Sequence, residues 1–297
     1  MIEIANLTKR YGKVLAVDDV SFAAEAGRVT GFVGPNGAGK TTTLRALLGL
    51  VTPTAGSTAI LGRPFRALDD PAQQVGAVLE TASFHPGRSG RNHLRTVAAA
   101  AGIPRKRVEE VLELVELKDA ARRRVKTYSL GMKQRLCLAT SLLGDPQVLV
   151  LDEPANGLDP EGMRWLRTFL RGLAADGRAV LVSSHVLAEL AQTADDIVIL
   201  AKGRVIAQAP IGELTARAGA RALVRSPQAE ALRGFLAAAD IDATLAGDDT
   251  LGVDAPPERI GEIAAANGIV LHELRAEESS LEEVFLELTG GEEARPG

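Results

Sequence analysis

A glycine-rich run between two apolar segments constrains the fold of this chain more than any other feature. The run reads GPNGAGKT over residues 34–41 and fits the pattern G-x-x-x-x-G-K-[ST]. Residues 28–33 before it are typical of a buried strand, and residues 40–50 after it are typical of a helix. This context predicts a strand–loop–helix unit whose backbone N–H groups converge on phosphate oxygens. Taken alone, the run would also fit a plain glycine-rich turn.

Two side chains at the end of this run carry the chemistry that a phosphate site needs. We expect the Lys40 ammonium to reach the β- and γ-phosphates of a nucleotide, and the Thr41 hydroxyl to bind Mg²⁺. The residues of this segment predicted to contact the nucleotide are Gly34, Asn36, Gly37, Gly39, Lys40, Thr41 and Thr42.

Two adjacent carboxylates follow a second apolar run. The sequence VLVLDEP over residues 148–154 places Asp152 and Glu153 directly after a buried strand. Ligands bind at the carboxyl edge of open α/β sheets. We therefore expect Asp152 to hold Mg²⁺ and Glu153 to polarise the water that attacks the γ-phosphate. A solvated acidic turn is the alternative interpretation of this pair.

The order of strand and helix patterns predicts two domains. Apolar strands alternate with helical segments through the first part of the chain, which indicates an α/β sheet with crossover connections. After Leu214 the pattern becomes β-α-β-β-α-β over residues 222–274, the order of a ferredoxin-like unit, and an amphipathic segment follows at residues 280–288. We place the domains at residues 1–218 and 219–297.

Composition limits the classes of function. The net charge is −4 and the pI is about 5.7, which argues against a nucleic-acid binder that works by bulk charge. The single cysteine, Cys137, excludes an internal disulfide. Apolar runs stay below the roughly 18 residues of a membrane span, and residues 1–12 lack a signal pattern. The expectation is a soluble intracellular protein.

Together these motifs resemble the ATP-binding subunit of an ABC transporter, over residues 1 to about 215. The resemblance implies a P-loop NTPase cassette with a RecA-like core, an antiparallel β subdomain and a helical subdomain over about residues 85–145. A small α+β ferredoxin-like domain follows. The resemblance also implies that Tyr11 stacks on adenine and that His185 hydrogen-bonds the γ-phosphate. The alternatives are a half-buried strand aromatic for Tyr11 and a structural histidine for His185.

The resemblance further implies a second copy of the chain. The segment YSLGMKQR over residues 128–135 matches the LSGGQ-like signature of the family at Ser129 and Gly131. In the family these residues, with Asp159 of the NGLD segment, contact the ATP that is bound by the other subunit. Two subunits would then close head to tail around two ATP molecules. A plain helix start at Ser129 and an N-cap at Asp159 are the alternatives.

Glu80 departs from the family pattern. Members of the family usually have glutamine after the strand that leads to the helical subdomain, and this chain has Glu80 after residues 75–79. We expect Glu80 to offer an oxygen to Mg²⁺, whereas a shifted alignment would make it a surface charge. Glutamate here, the YSLGM signature and the SLEEVF segment at residues 280–285 resemble the bacterial exporter branch that handles antibiotics and lantibiotic-like peptides.

The resulting prediction is an ATPase that uses ATP and Mg²⁺, forms a homodimer and drives export of an antibiotic, peptide or lipid-like substrate. The implied partner is a separate multi-span membrane permease that docks near residues 85–125, so the protein would lie in the cytoplasm on the inner face of the cell membrane. No nucleic-acid partner is expected. The alternatives are a soluble ABC ATPase not coupled to transport, an ABC importer ATPase and a non-catalytic nucleotide-binding regulator.

Overall fold

The computed structural model describes residues 1–79, 84–218 and 222–276 and divides the chain into two compact units, Met1–Ala209 and Pro210–Gly297. This division lies nine residues before the boundary predicted from the pattern change, because it assigns the helix Ile211–Ala218 to the second unit. None of the helices among the described residues combines the length and the apolar character needed to cross a bilayer.

The first unit contains nine described strands and seven described helices. The strands are β1 (Ile2–Tyr11), β2 (Val14–Ala24), β3 (Val29–Val33), β4 (Ala55–Ile60), β5 (Val75–Val78), β6 (Val148–Leu151), β7 (Ala179–Ser184), β8 (Asp196–Ala201) and β9 (Arg204–Pro210). The helices are α1 (Lys40–Leu47), α2 (Pro71–Gln74), α3 (Gly90–Ala100), α4 (Arg105–Leu114), α5 (Leu130–Ser141), α6 (Pro160–Ala175) and α7 (Leu187–Ala191).

A six-stranded sheet in the order β5-β6-β7-β3-β8-β9 forms the centre of this unit. Its pairs from β5 to β8 are parallel, and every residue of β3, β6 and β7 is buried, which explains their continuous apolar sequences. The register pairs Val33 with Ser184 and Leu151 with Val182. The residues that follow β3, β6 and β7 therefore meet at one edge of the sheet.

A second, antiparallel sheet in the order β2-β1-β4 shares a hydrophobic core with the central sheet. The rings of Phe22 on β2 and Phe32 on β3 contact each other with centroids 5.0 Å apart. At the other end of the β1–β2 hairpin, Tyr11 pairs with Val14 beside the turn. The antiparallel sheet thus holds Tyr11 at an exposed hairpin tip.

The described residues between β5 and β6 include α3, α4 and α5, which all lie within the range predicted for a helical subdomain. The Ser89 hydroxyl caps α3 by accepting from Asn92 N–H. Buried Leu94, Val108 and Leu112 lie on the inner faces of α3 and α4.

Helix α1 is shorter than predicted: it ends at Leu47, because Gly49 adopts a left-handed conformation with φ of +65°.

The second unit begins with α8 (Ile211–Ala218) and continues with β10 (Ala222–Arg225), α9 (Ala229–Ala238), β11 (Ala243–Gly247), β12 (Thr250–Val253), α10 (Pro257–Ala266) and β13 (Glu273–Ala276). Its strands form an antiparallel sheet in the order β11-β12-β10-β13. After α8, the elements follow the β-α-β-β-α-β order of a split β-α-β unit. Leu232, Leu236 and Ile260 of the two helices pack in its core.

One strand of this unit lies later in the chain than predicted. The sequence suggests a strand over residues 269–274, whereas β13 spans Glu273–Ala276. The apolar residues before it are held in another way: Ile269 N–H donates to Ala264 O of α10, and Val270 O accepts from the Ser226 hydroxyl. The amphipathic segment predicted at residues 280–288 lies outside the described residues.

The packing of β5 against α5 depends on a glycine. A Cβ atom at Gly76 would lie 2.3 Å from Ser141 O, so we expect Gly76→Ala to lower the free energy of unfolding by about 1–3 kcal/mol. Gly172 is the matched control, because it lies exposed inside α6 with open space around it. Gly172→Ala should raise stability by about 0.5–1 kcal/mol. Urea denaturation of the variants measures both effects, and equal changes would contradict the assigned contact.

Candidate nucleotide-binding site

The loop between β3 and α1 requires glycine at two positions. A Cβ atom at Gly34 would lie 2.3 Å from Leu200 O, and a Cβ atom at Gly39 would lie 2.5 Å from Ala16 O. Gly39 also has a φ of +108°, which other residues rarely adopt. The two glycines let the loop pass close to neighbouring backbone and then enter α1 directly.

Lys40 lies inside this loop rather than in solvent. Its side chain is buried, and its ammonium donates to Gly34 O at 2.6 Å and to Pro35 O at 3.3 Å. Glu153 Oε1 is 3.4 Å from the same nitrogen. Because a buried ammonium requires hydrogen-bond acceptors and a counter-charge, these three contacts satisfy the Lys40 side chain inside the loop.

Asp152 is a buried carboxylate with a partner for each oxygen. Thr41 donates to Oδ2 at 2.7 Å, and the Ser183 hydroxyl donates to Oδ1. Its backbone N–H donates to Val78 O at 2.8 Å, which fixes the residue at the end of β6. The adjacent hydroxyl and carboxylate oxygens of Thr41 and Asp152 are the kind of ligand that Mg²⁺ prefers, so these residues fit a magnesium ion.

Glu153 and His185 form the exposed side of the same group. His185 Nδ1 lies 2.9 Å from Glu153 Oε2. Since an ionised carboxylate only accepts hydrogen bonds, Nδ1 carries the hydrogen, and Nε2 is left for another partner. Glu153 has a φ of +49°, a conformation that costs about 1–3 kcal/mol for a residue other than glycine. Its N–H donates to Ser183 Oγ at 2.9 Å, which holds it in that conformation.

Ser183 is a site residue that the sequence reasoning did not identify. Its hydroxyl donates to Asp152 and accepts from Glu153 N–H, so it joins the ends of β6 and β7. The only sequence signal was a polar pair, Ser183-Ser184, at the end of the apolar run before His185. That signal does not reveal which residue of β6 lies opposite, because the pairing of the strands is not visible in the sequence.

The other residues predicted on this side of the site have fewer contacts. Asn36 and Gly37 are exposed at the tip of the loop, and Thr42 is partly buried in the first turn of α1. Tyr11 is 47% exposed, and the Lys9 ammonium lies 4.8 Å from its ring centroid. Glu80 lies outside the described residues.

Other contacts hold the three residues predicted to reach the nucleotide of a second subunit, namely Ser129, Gly131 and Asp159. Ser129 caps α5 by accepting from Met132 N–H at 3.2 Å, and Asp159 caps α6 by accepting from Gly162 N–H at 2.8 Å. A Cβ atom at Gly131 would lie 3.7 Å from a methyl group of Leu158, so the first turn of α5 packs against the segment before α6. Among the described residues, no hydrogen bond or ion pair links these three residues to Lys40, Asp152 or Glu153.

Comparison with known proteins gives two family matches along the chain. The ABC transporter family matches residues 17–156, and a domain of unknown function matches residues 220–282. The Bacillus licheniformis bacitracin transport ATP-binding protein BcrA is 35% identical, covering 98% of this chain and 98% of the relative. The Burkholderia orbicola Nod factor export ATP-binding protein I is 36% identical, covering 98% of this chain and 97% of the relative.

A solved structure matches the first part of the chain. It is the dimeric structure of a bacterial ABC transporter cassette, with a TM-score of 0.64 and 26% sequence identity. The match covers 71% of this chain and 99% of that one.

The hydrogen bonds of Ser183 lead to a prediction. Ser183→Ala removes one partner from Asp152 and one from Glu153 N–H, so we expect ATP turnover to fall by about tenfold, while ATP affinity changes less. Ser141→Ala is the matched control, because among the described residues that buried hydroxyl donates to Leu138 O of its own helix and to no residue of the site. Steady-state hydrolysis and nucleotide titration measure the two effects. Equal turnover in the two variants would remove Ser183 from the site.

Proposed function

The chain belongs to the family of ABC transporter ATP-binding proteins, and we propose that it is the ATP-hydrolysing subunit of an exporter. The observation that carries this proposal is the hydrogen-bonded group of Lys40, Thr41, Asp152, Glu153 and His185 at one edge of the parallel sheet. With the family assigned, the cassette fold predicted from the sequence is confirmed, as is the prediction of an ATPase.

The loop residues supply the binding of the triphosphate. The backbone of Gly34, Asn36, Gly37 and Gly39 surrounds the phosphates, and Thr42 lies in the first turn of α1, whose N-terminus favours an anion. The Lys40 ammonium exchanges its contacts with Gly34 O and Pro35 O for the β- and γ-phosphate oxygens. Tyr11 offers its exposed ring to adenine, a contact worth about 1–3 kcal/mol.

Thr41 and Asp152 are the residues of this chain that would hold Mg²⁺, with Glu80 as a further oxygen ligand proposed from the sequence. When bound, the ion neutralises charge on the β- and γ-phosphate oxygens. Ser183 keeps the Asp152 carboxylate turned toward Thr41.

Glu153 orients the water for in-line attack and accepts its proton. In the present arrangement its carboxylate contacts both Lys40 and His185, so both oxygens are occupied. When Lys40 moves to the phosphates, Oε1 becomes available to a water molecule. His185 keeps Oε2 in place through Nδ1 and offers Nε2 to the γ-phosphate.

A second copy of the chain completes each site in this proposal. In one subunit, three residues contact the ATP bound by the other subunit: Ser129, Gly131 and the neighbouring Asp159. A two-fold axis relates the two ATP sites. Two observations support this arrangement. These residues lie outside the group around Lys40, and the cassette of similar structure is a dimer.

The proposed membrane partner is a multi-span permease on a separate chain, with the ATPase on the inner face of the cell membrane. The proposed docking surface is an open depression of about 740 Å³ in the helical segment, lined by His85, Arg88 and Arg95 among others. His93 lies beside it, and burial, followed by the charge of Arg88, lowers the pKa of its imidazole.

The relatives that transport bacitracin and export Nod factor support an antibiotic, peptide or lipid-like substrate.

Glu153 provides the first test of this mechanism. Glu153→Gln keeps the shape of the side chain but removes the base, so turnover should fall at least a hundredfold, whereas ATP binding and an ATP-dependent dimer should persist. Glu161→Gln, in the exposed first turn of α6, is the control and should hydrolyse ATP like the wild type. Phosphate release and sedimentation measure the two effects. Wild-type turnover in Glu153→Gln would exclude Glu153 as the base.

The membrane partner provides the second test. The tagged full chain, purified from detergent-solubilised membranes of its own host, should retain a multi-span membrane protein. Arg88→Glu reverses a charge in the depression and should lower this recovery several-fold, while Arg105→Glu at the exposed start of α4 should not. Recovery with ribosomes or RNA in place of a membrane protein would favour the soluble ATPase alternative.

A further inference from the structure

A cavity of about 160 Å³ lies in the first unit between α6, the end of β7 and α7. Its walls are mostly apolar and include Met163, Leu166, Leu170, Val182 and Leu190. None of the residues assigned above to phosphate, magnesium or adenine lines it. An engineered apolar cavity of similar size, about 150 Å³, binds benzene, so this cavity has room for one ring or a branched aliphatic group.

Two charged residues give this cavity a polar side. Arg167 lines it, and its Nε is buried without a hydrogen-bond partner among the described residues. Glu189 also lines the cavity and supplies a carboxylate of opposite charge. Buried donors in proteins are almost always paired, so a ligand with a hydrogen-bond acceptor would complete the pairing of Arg167 Nε. The opposite charges balance, which favours a neutral ligand that both accepts and donates hydrogen bonds.

We propose that this cavity binds a small, neutral amide with one aromatic or branched apolar group. The carbonyl oxygen accepts from Arg167 Nε, the amide N–H donates to the Glu189 carboxylate, and the apolar group lies against Leu166, Leu170 and Val182. A carboxylate of the same shape would be repelled by Glu189, and a hydrocarbon would leave Arg167 Nε unpaired.

The position of the cavity makes it a site for an effector of the ATPase. Pro154 and Ala155 line it directly after Glu153, and Ser183 and Ser184 line it directly before His185. A bound molecule would therefore contact the segments that set the distance between Glu153 and His185. This regulatory step depends on the proposed function, whereas binding of the amide does not.

Benzamide is the probe, with benzoate and toluene as matched comparisons of similar size. Ligand-observed NMR on the full chain without nucleotide should show binding of benzamide and at least about tenfold weaker binding of the other two. Arg167→Met keeps most of the side-chain volume and should weaken benzamide by about tenfold. Arg164→Met, one turn earlier on α6 and exposed, is the control and should bind like the wild type.

Ala188→Leu is the second variant, because Ala188 lines the cavity and a larger side chain would fill it. It should abolish benzamide binding while ATP binding and the thermal unfolding midpoint show that the chain is folded. In the wild type, benzamide should change ATP turnover at least twofold, and in Ala188→Leu it should not. Equal binding of benzamide to wild type and Arg167→Met, tighter binding of benzoate, or no benzamide binding would overturn the site. Binding without any change in turnover would overturn only its regulatory role.

Discussion

The buried carboxylate of Asp152 is the interaction on which the rest of the site depends. A carboxylate with 3% exposure is costly unless each oxygen has a partner, and here Thr41 and Ser183 supply the two partners. Thr41 lies in the first turn of α1 and Ser183 near the end of β7, so one side chain joins three elements that are distant in sequence. The parallel register of β6 with β7 and β7 with β3 makes this meeting possible.

The same hydrogen bonds explain how Glu153 is held in a strained conformation. A φ of +49° is unfavourable for a glutamate, and the bond from its N–H to Ser183 offsets part of that cost. The conformation turns the carboxylate toward both Lys40 and His185. Glu153 is therefore positioned by the strand ends, and in the proposed mechanism only its contact with Lys40 has to break before Oε1 can orient a water molecule.

The sequence predicted the local parts of this structure better than the long-range ones. The loop, Lys40 and Thr41 are encoded in eight consecutive residues, and Asp152 and Glu153 directly follow an apolar run, so both could be assigned without knowing the sheet order. Ser183 was missed because its partners Asp152 and Glu153 are 31 and 30 residues away. The strand predicted at residues 269–274 was misplaced because contacts with Ala264 and Ser226 hold that segment. The predicted roles of all the site residues stay predictions, those of Lys40, Glu153 and His185 as much as those of Tyr11 and Ser129.

In the proposed dimer, the helix caps Ser129 and Asp159 offer a way for one subunit to respond to the state of the other. The Ser129 hydroxyl accepts one hydrogen bond as a cap, and its own hydrogen is still available to a phosphate oxygen. Asp159 uses Oδ1 as a cap, which leaves Oδ2 for another partner. A Cβ atom at Gly157 would lie 2.4 Å from a methyl group of Leu130, so the segments that carry the two caps are tightly packed against each other. Because these two segments are packed together, a movement of one shifts the other. The surface around Ser129 and Asp159, which is proposed to face the partner subunit, would therefore move together with the start of α6. That helix follows Glu153 by only a short loop, so in the proposed dimer the surface that faces the partner subunit would be mechanically connected with Glu153.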